Sequence, residues 1–489
     1  MRLTPEVSAA TVPRASRTNP AGPGAMPAPD RPAMSASVNP ATGDVLAEHP
    51  DLSDAALDAA LTRAAAAAAR RRATPLAERV AAVHALADRL DADRERLARL
   101  ATDEMGKTLV QARAEVAKCA SAARALADMA EEAFADSDRP AAAGGARRAF
   151  VAREPLGAVL AVMPWNFPYW QALRAAVPPL LAGGSVLLKH APNVRGCGDA
   201  LAAAFHDAGM GDGAFEHLAI TAERVAAVIA DPRVAAVTLT GSEQAGRAVA
   251  REAGAALKPV VLELGGSDPF VVLRDADLGA AVTAAVTARV QNNGQSCIAG
   301  KRFIAEATVA AAFTEAFVAQ MAALRVGDPT DAAVDVGPLA RADLRETLLD
   351  QTRRAVAQGA RLATGGTALG GPGFFVTPGV LTGVAEGTVP YTEELFGPVA
   401  AVTVARDAAH AVALANATRF GLGASVWTQD AARGEAAARQ LRAGVVMVNA
   451  LVASHAGLPF GGVGASGMGR ELGLEGLRAF VNEKTIWMG

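Results

Sequence analysis

Residues 234–264 read VAAVTLTGSEQAGRAVAREAGAALKPVVLEL. The apolar run Val234–Thr240 breaks at Gly241-Ser242, a helix-forming stretch Gln244–Ala256 follows, and a second apolar run, Val260–Leu264, closes the unit. Both runs are short for buried helices and rich in valine, so they predict strands. A helix between two strands carries the chain back across the sheet and makes the pair parallel. The same alternation extends towards the N-terminus: Gly157–Met163, Ser185–Lys189 and Phe215–Ile220 read as strands, with helices over Tyr169–Leu181, Gly198–Ala208 and Ala222–Ala230. Five strands and four helices in turn predict an open parallel α/β sheet, which binds ligands beyond the carboxyl ends of its strands.

Further outward, a second alternating series runs from Pro269 to Val448, with strands at Phe270–Leu273, Val399–Val404, Ala424–Thr428 and Val445–Val448. Asp54–Ala135 carries charges at three- and four-residue spacing within Ala/Leu runs, the mark of amphipathic helices. Asp136–Gly145 is turn-like and Arg147–Arg153 a candidate strand. A glycine-dense loop, Pro459–Gly473, precedes a helix and a short tail ending Thr485–Met488. Residues 1–33 are rich in Pro, Ala, Ser and Thr and lack an apolar signal core, so they are expected to be a disordered tail, with the folded part starting near Met34.

Of 489 residues, 47 are Lys or Arg and 50 Asp or Glu, leaving a formal charge of −3. That balance argues against a nucleic-acid binder or a polybasic membrane adhesin. The 51% apolar content excludes a disordered chain. Residues 155–173 carry no charge, but Pro155, Pro164 and Pro168 interrupt them and Asn166 and Gln171 lie inside, so no membrane span is expected. Three cysteines, Cys119, Cys197 and Cys297, make neither a disulfide scaffold nor a metal site. A reducing, cytoplasmic compartment is the expectation.

Several short stretches could carry chemistry. Gly462, Gly464 and Gly467 spell the dinucleotide fingerprint, yet only 22 residues follow Gly467, too few for the rest of the βαβ unit, so they read as turns. Thr240-Gly241-Ser242 joins a strand to a helix and offers backbone N–H groups to an anion; ordinary helix capping explains it equally well. Cys297, behind Asn292-Asn293-Gly294-Gln295-Ser296, is a poor packing residue and a plausible nucleophile, although a cysteine taken singly is more often a buried structural residue; Cys119 and Cys197 lie in helical stretches and read as packing. Glu263 ends a strand before Leu264-Gly265-Gly266. Pro164-Trp165-Asn166-Phe167-Pro168 follows another strand, where Asn166 is either a helix cap or a donor to a developing oxyanion.

These blocks, with Gly246, Arg302, Glu393–Val399 and Pro459–Gly473, occur in the order found in the NAD(P)-dependent aldehyde dehydrogenases, which the chain resembles from Asn39 to its C-terminus. It is most similar to the bacterial succinate-semialdehyde dehydrogenases that carry Lys189-His190-Ala191-Pro192-Asn193. The resemblance implies an aldehyde dehydrogenase-like α/β fold. Residues 34–137 and 153–262 would form a Rossmann-type NAD(P)-binding domain, 263–455 an α/β catalytic domain, and 138–152 with 480–489 a small β oligomerisation arm of a homodimer or homotetramer. It further implies that Cys297 attacks the aldehyde to give a thiohemiacetal, that Asn166 holds the oxyanion, that hydride passes to the nicotinamide, and that Glu263 activates water against the thioester. Trp165, Lys189, Ser242, Glu394 and Phe396 would contact the cofactor. NAD is the first expectation; because Pro192 stands where many NAD-preferring members carry a glutamate for the ribose 2′-hydroxyl, NADP should also work.

Arg174 lies eight residues after Asn166, on about the same helical face. The resemblance makes it the clamp for a distal carboxylate, with Ser454 beside it, and so implies succinate semialdehyde as substrate. A solvated helix residue is the alternative. Gln291 stands where some members carry a second arginine, which suggests a weaker grip and a wider range. The rival readings are a broad-specificity aldehyde dehydrogenase for other semialdehydes or aliphatic aldehydes, a catalytically silent member, and a cofactor-independent thiol hydrolase.

Overall fold

The computed structural model describes residues 34–139 and 145–489. The tail expected over 1–33 therefore lies outside the described residues.

The parallel sheet read from the sequence forms, with strands in the order Val260–Glu263, Val234–Thr240, Ala158–Val162, Ser185–Lys189 and Phe215–His217. From Ala158–Val162, the first in sequence, the chain winds outward in one direction through Ser185–Lys189 and then in the other through Val234–Thr240. The loops after Val162 and Thr240 consequently diverge at the switch point, where such sheets open a crevice. A sixth strand, Gly467–Met468, adds antiparallel to Leu262–Glu263. This places part of the glycine-dense loop at the sheet edge, a segment the expected domain boundaries had left unassigned. Gly467 has φ +123°, and a Cβ there would meet the Leu262 carbonyl oxygen at 1.9 Å, so its glycine serves strand pairing and not a nucleotide turn.

The strands are nearly continuous in apolar residues because both faces are covered. Val186, Leu188 and Met163 pack with the helices Leu76–Ala92, Leu109–Asp128 and Trp170–Ala182. Leu160, Leu187, Val237 and Leu262 pack on the other face with Asp54–Arg71 and Glu243–Ala255.

The second series folds into a seven-stranded sheet in the order Arg361–Thr364, Gly379–Thr382, Val399–Ala405, Gly300–Glu306, Asp268–Val272, Gly423–Trp427, Val445–Val448, parallel except for its first strand. Three of these were missed in the sequence. Gly300–Glu306 carries Lys301, Arg302 and Glu306 within it, all buried, so no apolar run marks it.

A three-stranded antiparallel sheet joins Ser137–Arg139, Arg148–Pro155 and Val481–Met488. Its central strand runs three residues past the expected boundary at 152, because Val481 pairs with Pro155. Among the described residues no helix is long and apolar enough to cross a membrane.

Candidate active site

The loop that carries Cys297 has an unusual backbone. After the helix Leu278–Val290, three successive residues are left-handed: Asn292 (φ 54°), Asn293 (56°) and Gly294 (75°). Asparagine tolerates this region better than other side chains, but each such residue still costs on the order of 1 kcal/mol. Side-chain braces hold the loop. Asn292 Nδ2 donates to the carbonyls of Asn166 (2.7 Å) and Gln295 (3.0 Å), Asn293 Nδ2 to Gly106 (2.8 Å) and Pro338 (3.0 Å), and Arg289 Nη2 to Gly294 (2.7 Å). A Cβ on Gly294 would meet the Gly397 backbone at 2.3 Å. Beyond the cysteine, buried Lys301 turns back. Its Nζ donates to the carbonyls of Ser296 (2.9 Å) and Cys297 and lies 3.0 Å from Glu394 Oε1.

Two cavities open on this loop, of about 500 and 380 Å³, and both are lined by Cys297 and Gln171. Gln171 is 1% exposed and its Oε1 has no protein partner.

The smaller cavity lies over the switch point, between Trp165, Asn166, Thr240, Gly241, Ser242, Gly265, Glu394 and Phe396. Trp165 and Phe396 meet edge to face with centroids 5.8 Å apart. Ser242 caps the helix Glu243–Ala255 by accepting from Ala245 N (3.2 Å). Glu243, the helix's first residue, is drawn aside by Arg247 and Arg419, each at 2.8 Å. Glu394 accepts from Gly266 N (3.1 Å). Asn166 Nδ2 donates to the Gln295 carbonyl (3.0 Å), which leaves its second N–H uncommitted. Lys189 does not line this cavity. It ends its strand buried, with burial and Arg195 lowering its pKa.

The larger cavity has apolar walls, Val286, Val290, Ile298, Val452 and Phe460, and a cationic end. Arg174 is there and is buried, so it is not the solvated residue of the alternative reading. Its Nε lies 2.5 Å from Glu471 Oε2, its guanidinium sits 5.0 Å from the Phe460 ring centroid, and Nη2 has no hydrogen-bond partner. Ser454 and Gln291 line the same cavity. So does Lys118, which the sequence reading passed over. It donates to Ser454 Oγ (2.7 Å) and stands 4.4 Å from the Trp170 ring centroid.

Glu263 lines neither cavity. Its carboxyl is buried against Gly461, with both oxygens unpartnered. Burial, and then the neighbouring Glu471, push it well above the usual carboxylate range. Burial raises Glu471 too, but its contact with the Arg174 guanidinium works against that, so the neutral form is favoured more at Glu263. Burial also pushes the Cys297 thiol up to about 11, against the pull of Arg174 and Lys301. Burial thus favours the thiol over the activated thiolate that catalysis calls for.

The family model for the aldehyde dehydrogenase family matches residues 28–486. The chain belongs to the aldehyde dehydrogenase family. It is 50% identical over 455 residues to the succinate-semialdehyde dehydrogenase [NADP(+)] of Mycolicibacterium paratuberculosis, covering 93% of this chain and 96% of that protein. Identity to the succinate-semialdehyde dehydrogenase [NADP(+)] 1 of Mycobacterium tuberculosis is 49% over 453 residues, covering 93% and 99%. The crystal structure of succinic semialdehyde dehydrogenase from Streptococcus pyogenes in complex with NADP+ superposes with a TM-score of 0.90 at 35% identity, covering 93% of this chain and 99% of that one.

In this aldehyde dehydrogenase His190 and His455 line neither cavity. His190 is a buried strut between loops, with Nε2 2.8 Å from the Pro168 carbonyl, and burial pushes it down to about 4. His455 is exposed. Cys119 and Cys197 are buried. Among the described residues no cluster of ligands could hold a metal ion.

Proposed function

We propose that this aldehyde dehydrogenase oxidises succinate semialdehyde to succinate with NAD(P)+. The observation that carries the substrate is Arg174: a buried guanidinium with an unpartnered Nη2, at one end of an apolar cavity whose wall includes the nucleophile. A short aldehyde with a distal carboxylate satisfies both ends, and the names of the relatives agree.

The smaller cavity fits a nicotinamide dinucleotide. Its helix N-terminus at Ser242 suits the pyrophosphate, Glu394 the ribose, and Trp165 and Phe396 the ring. Gly265 keeps the passage open, since a Cβ there would meet Glu394 Oε2 at 2.3 Å. Lys189, beyond this cavity, would hold the adenosine ribose. The relatives' NADP(+) and the absence of a carboxylate at Pro192 move NADP+ ahead of NAD+. Bound there, the cofactor supplies the hydride acceptor.

Cys297 attacks the aldehyde carbon: its thiol proton passes to solvent, a C–S bond forms, and the carbonyl π pair moves onto the oxygen. Lys301 and Arg174 favour the anionic sulfur. The free N–H of Asn166 and the Cys297 backbone N–H receive the oxyanion. For hydrolysis of the thioester that loss of hydride to a bound cofactor would leave, Glu263 first gives up its own proton to solvent, then turns towards Cys297 and takes a proton from the attacking water; the new C–O bond forms as the C–S bond breaks and the sulfur departs. A carboxyl whose pKa is raised is the stronger base once ionised. The six-stranded unit serves the cofactor, the seven-stranded unit contributes Cys297, and the exposed edge Val481–Met488 pairs with another copy to make a homodimer or homotetramer of a cytoplasmic enzyme.

The apolar walls favour a second reading, a broad aliphatic aldehyde dehydrogenase. Initial rates of NAD(P)H formation with succinate semialdehyde and with hexanal separate the two. A clear preference for the semialdehyde supports the proposal; equal or better rates with hexanal contradict it.

A further inference from the structure

Lys118 is a cation that the reaction as described does not use. It projects from the middle of the helix Leu109–Asp128, otherwise buried through Ala112, Val116, Cys119 and Ala120. It lines the substrate cavity, and its partner Ser454 lies 336 residues away in sequence. Among the described residues no carboxylate reaches it within ion-pair distance. Glu115, one turn earlier, is already held by buried Lys107 and by the N–H groups of Tyr169 and Trp170, both at 2.9 Å. Arg174 has its own counter-charge in Glu471, whereas Lys118 has none. Of the ammonium's three N–H groups one goes to Ser454, and the face towards Trp170 gains only the cation–π attraction. An unpaired, half-buried ammonium is electrostatically incomplete and calls for an anion from the cavity itself. Lys118 and Arg174 are the cavity's cations; Gln291 opposite is neutral.

We propose that Lys118 is a second anchor for the substrate carboxylate, binding it jointly with Arg174 and orienting Ser454 towards it, and so sets the preference for anionic over uncharged aldehydes. This inference rests on the semialdehyde reading above. The groups facing Lys118 are Glu115 and Cys119 on its own helix, Arg174 on the helix Trp170–Ala182, Cys297 and Ser454 on their loops, and Asp335 in the cavity lining. Burial, followed by Arg174, pushes its ammonium down to about 8. A bound carboxylate reverses that, so the affinity for the anionic substrate falls as pH rises through that value.

The test is the ratio of KM for butanal, an uncharged aldehyde of the same chain length, to KM for succinate semialdehyde. It is measured for the wild-type holoenzyme, Lys118→Met and Lys118→Arg across neutral to alkaline pH. Loss of one charge-assisted contact predicts a fall in this ratio of roughly 10- to 100-fold in Lys118→Met. KM for the semialdehyde should change more than kcat. Lys118→Arg should recover most of the ratio and hold it to higher pH, and butanal turnover by each variant reports that it has folded. A wild type that prefers the semialdehyde while Lys118→Met keeps that preference overturns the assignment of Lys118 alone. A wild type indifferent to the carboxylate overturns the substrate reading and this inference with it.

Discussion

The two cavities that meet at Cys297 are built in opposite ways. The smaller is assembled from loops that leave the carboxyl ends of strands in one sheet and from Glu394 and Phe396 nearby, so its parts come as short contiguous motifs. The larger is assembled from helix interiors and distant loops, and its polar end depends on single side chains: Lys118, Arg174 and Ser454. A cofactor shared by many substrates needs backbone geometry. A carboxylate at a fixed distance from the nucleophile needs a few charges in the right places, and charges on helices leave no motif.

Ways to break this comparison run from the shared centre outward. Cys297→Ala should abolish turnover, by at least about 10⁴-fold, because it removes the one group common to attack and hydrolysis; residual turnover above that in a purified assay would break the account at its centre. Alkylation of Cys297 by iodoacetamide should be slow at neutral pH and rise about tenfold per pH unit towards about 11, since only the thiolate reacts. Cys119 and Cys197 are buried and should not contribute. A rate already flat near pH 8 would mean that the resting site is activated. Asn166→Ala should lower kcat by roughly 10²–10³-fold with a smaller change in KM, the loss of one oxyanion donor.

Arg174→Met sharpens the substrate side. It removes the partner of Glu471 within a buried pair, side chains 2% and 4% exposed, so destabilisation of about 3–5 kcal/mol is expected. Glu471→Gln in the same chain should recover part of it, which chemical denaturation of the two variants can read. At the far end of the scale, Arg439→Ala breaks an exposed ion pair with Glu435 and should cost under about 0.5 kcal/mol.

Much of this was legible in the sequence, for reasons particular residues make plain. Alternating apolar runs gave the five parallel strands, because a strand covered on both faces must be apolar throughout. Cys297, Asn166 and Ser242 follow strand or loop signals that a reader can see. Gly300–Glu306 was hidden by three charged residues that the fold buries, with Lys301 paired to Glu394 and Arg302 donating to the Ser267, Leu414 and Ala415 carbonyls. Lys301 was missed with it, although its ammonium ties the Cys297 loop to Glu394. Glu115 and Lys118 sit three apart on a helix, the spacing of an ordinary surface pair. In the folded chain each turns to a different partner, Glu115 to Lys107 and Lys118 to Ser454. Gln171 looked like a polar interruption of an apolar stretch and proves to stand where the two cavities join.

The central claim is that an aldehyde enters Cys297 from the larger cavity with its carboxylate held at the cationic end. The most direct measurement is a crystal structure of the Cys297→Ala variant with succinate semialdehyde and NADP+. The account predicts the carboxylate between Arg174, Lys118 and Ser454 and the aldehyde carbon beside position 297, with the nicotinamide on the other side. A carboxylate turned towards solvent, or an aldehyde lodged in the cavity of Trp165 and Phe396, would contradict it.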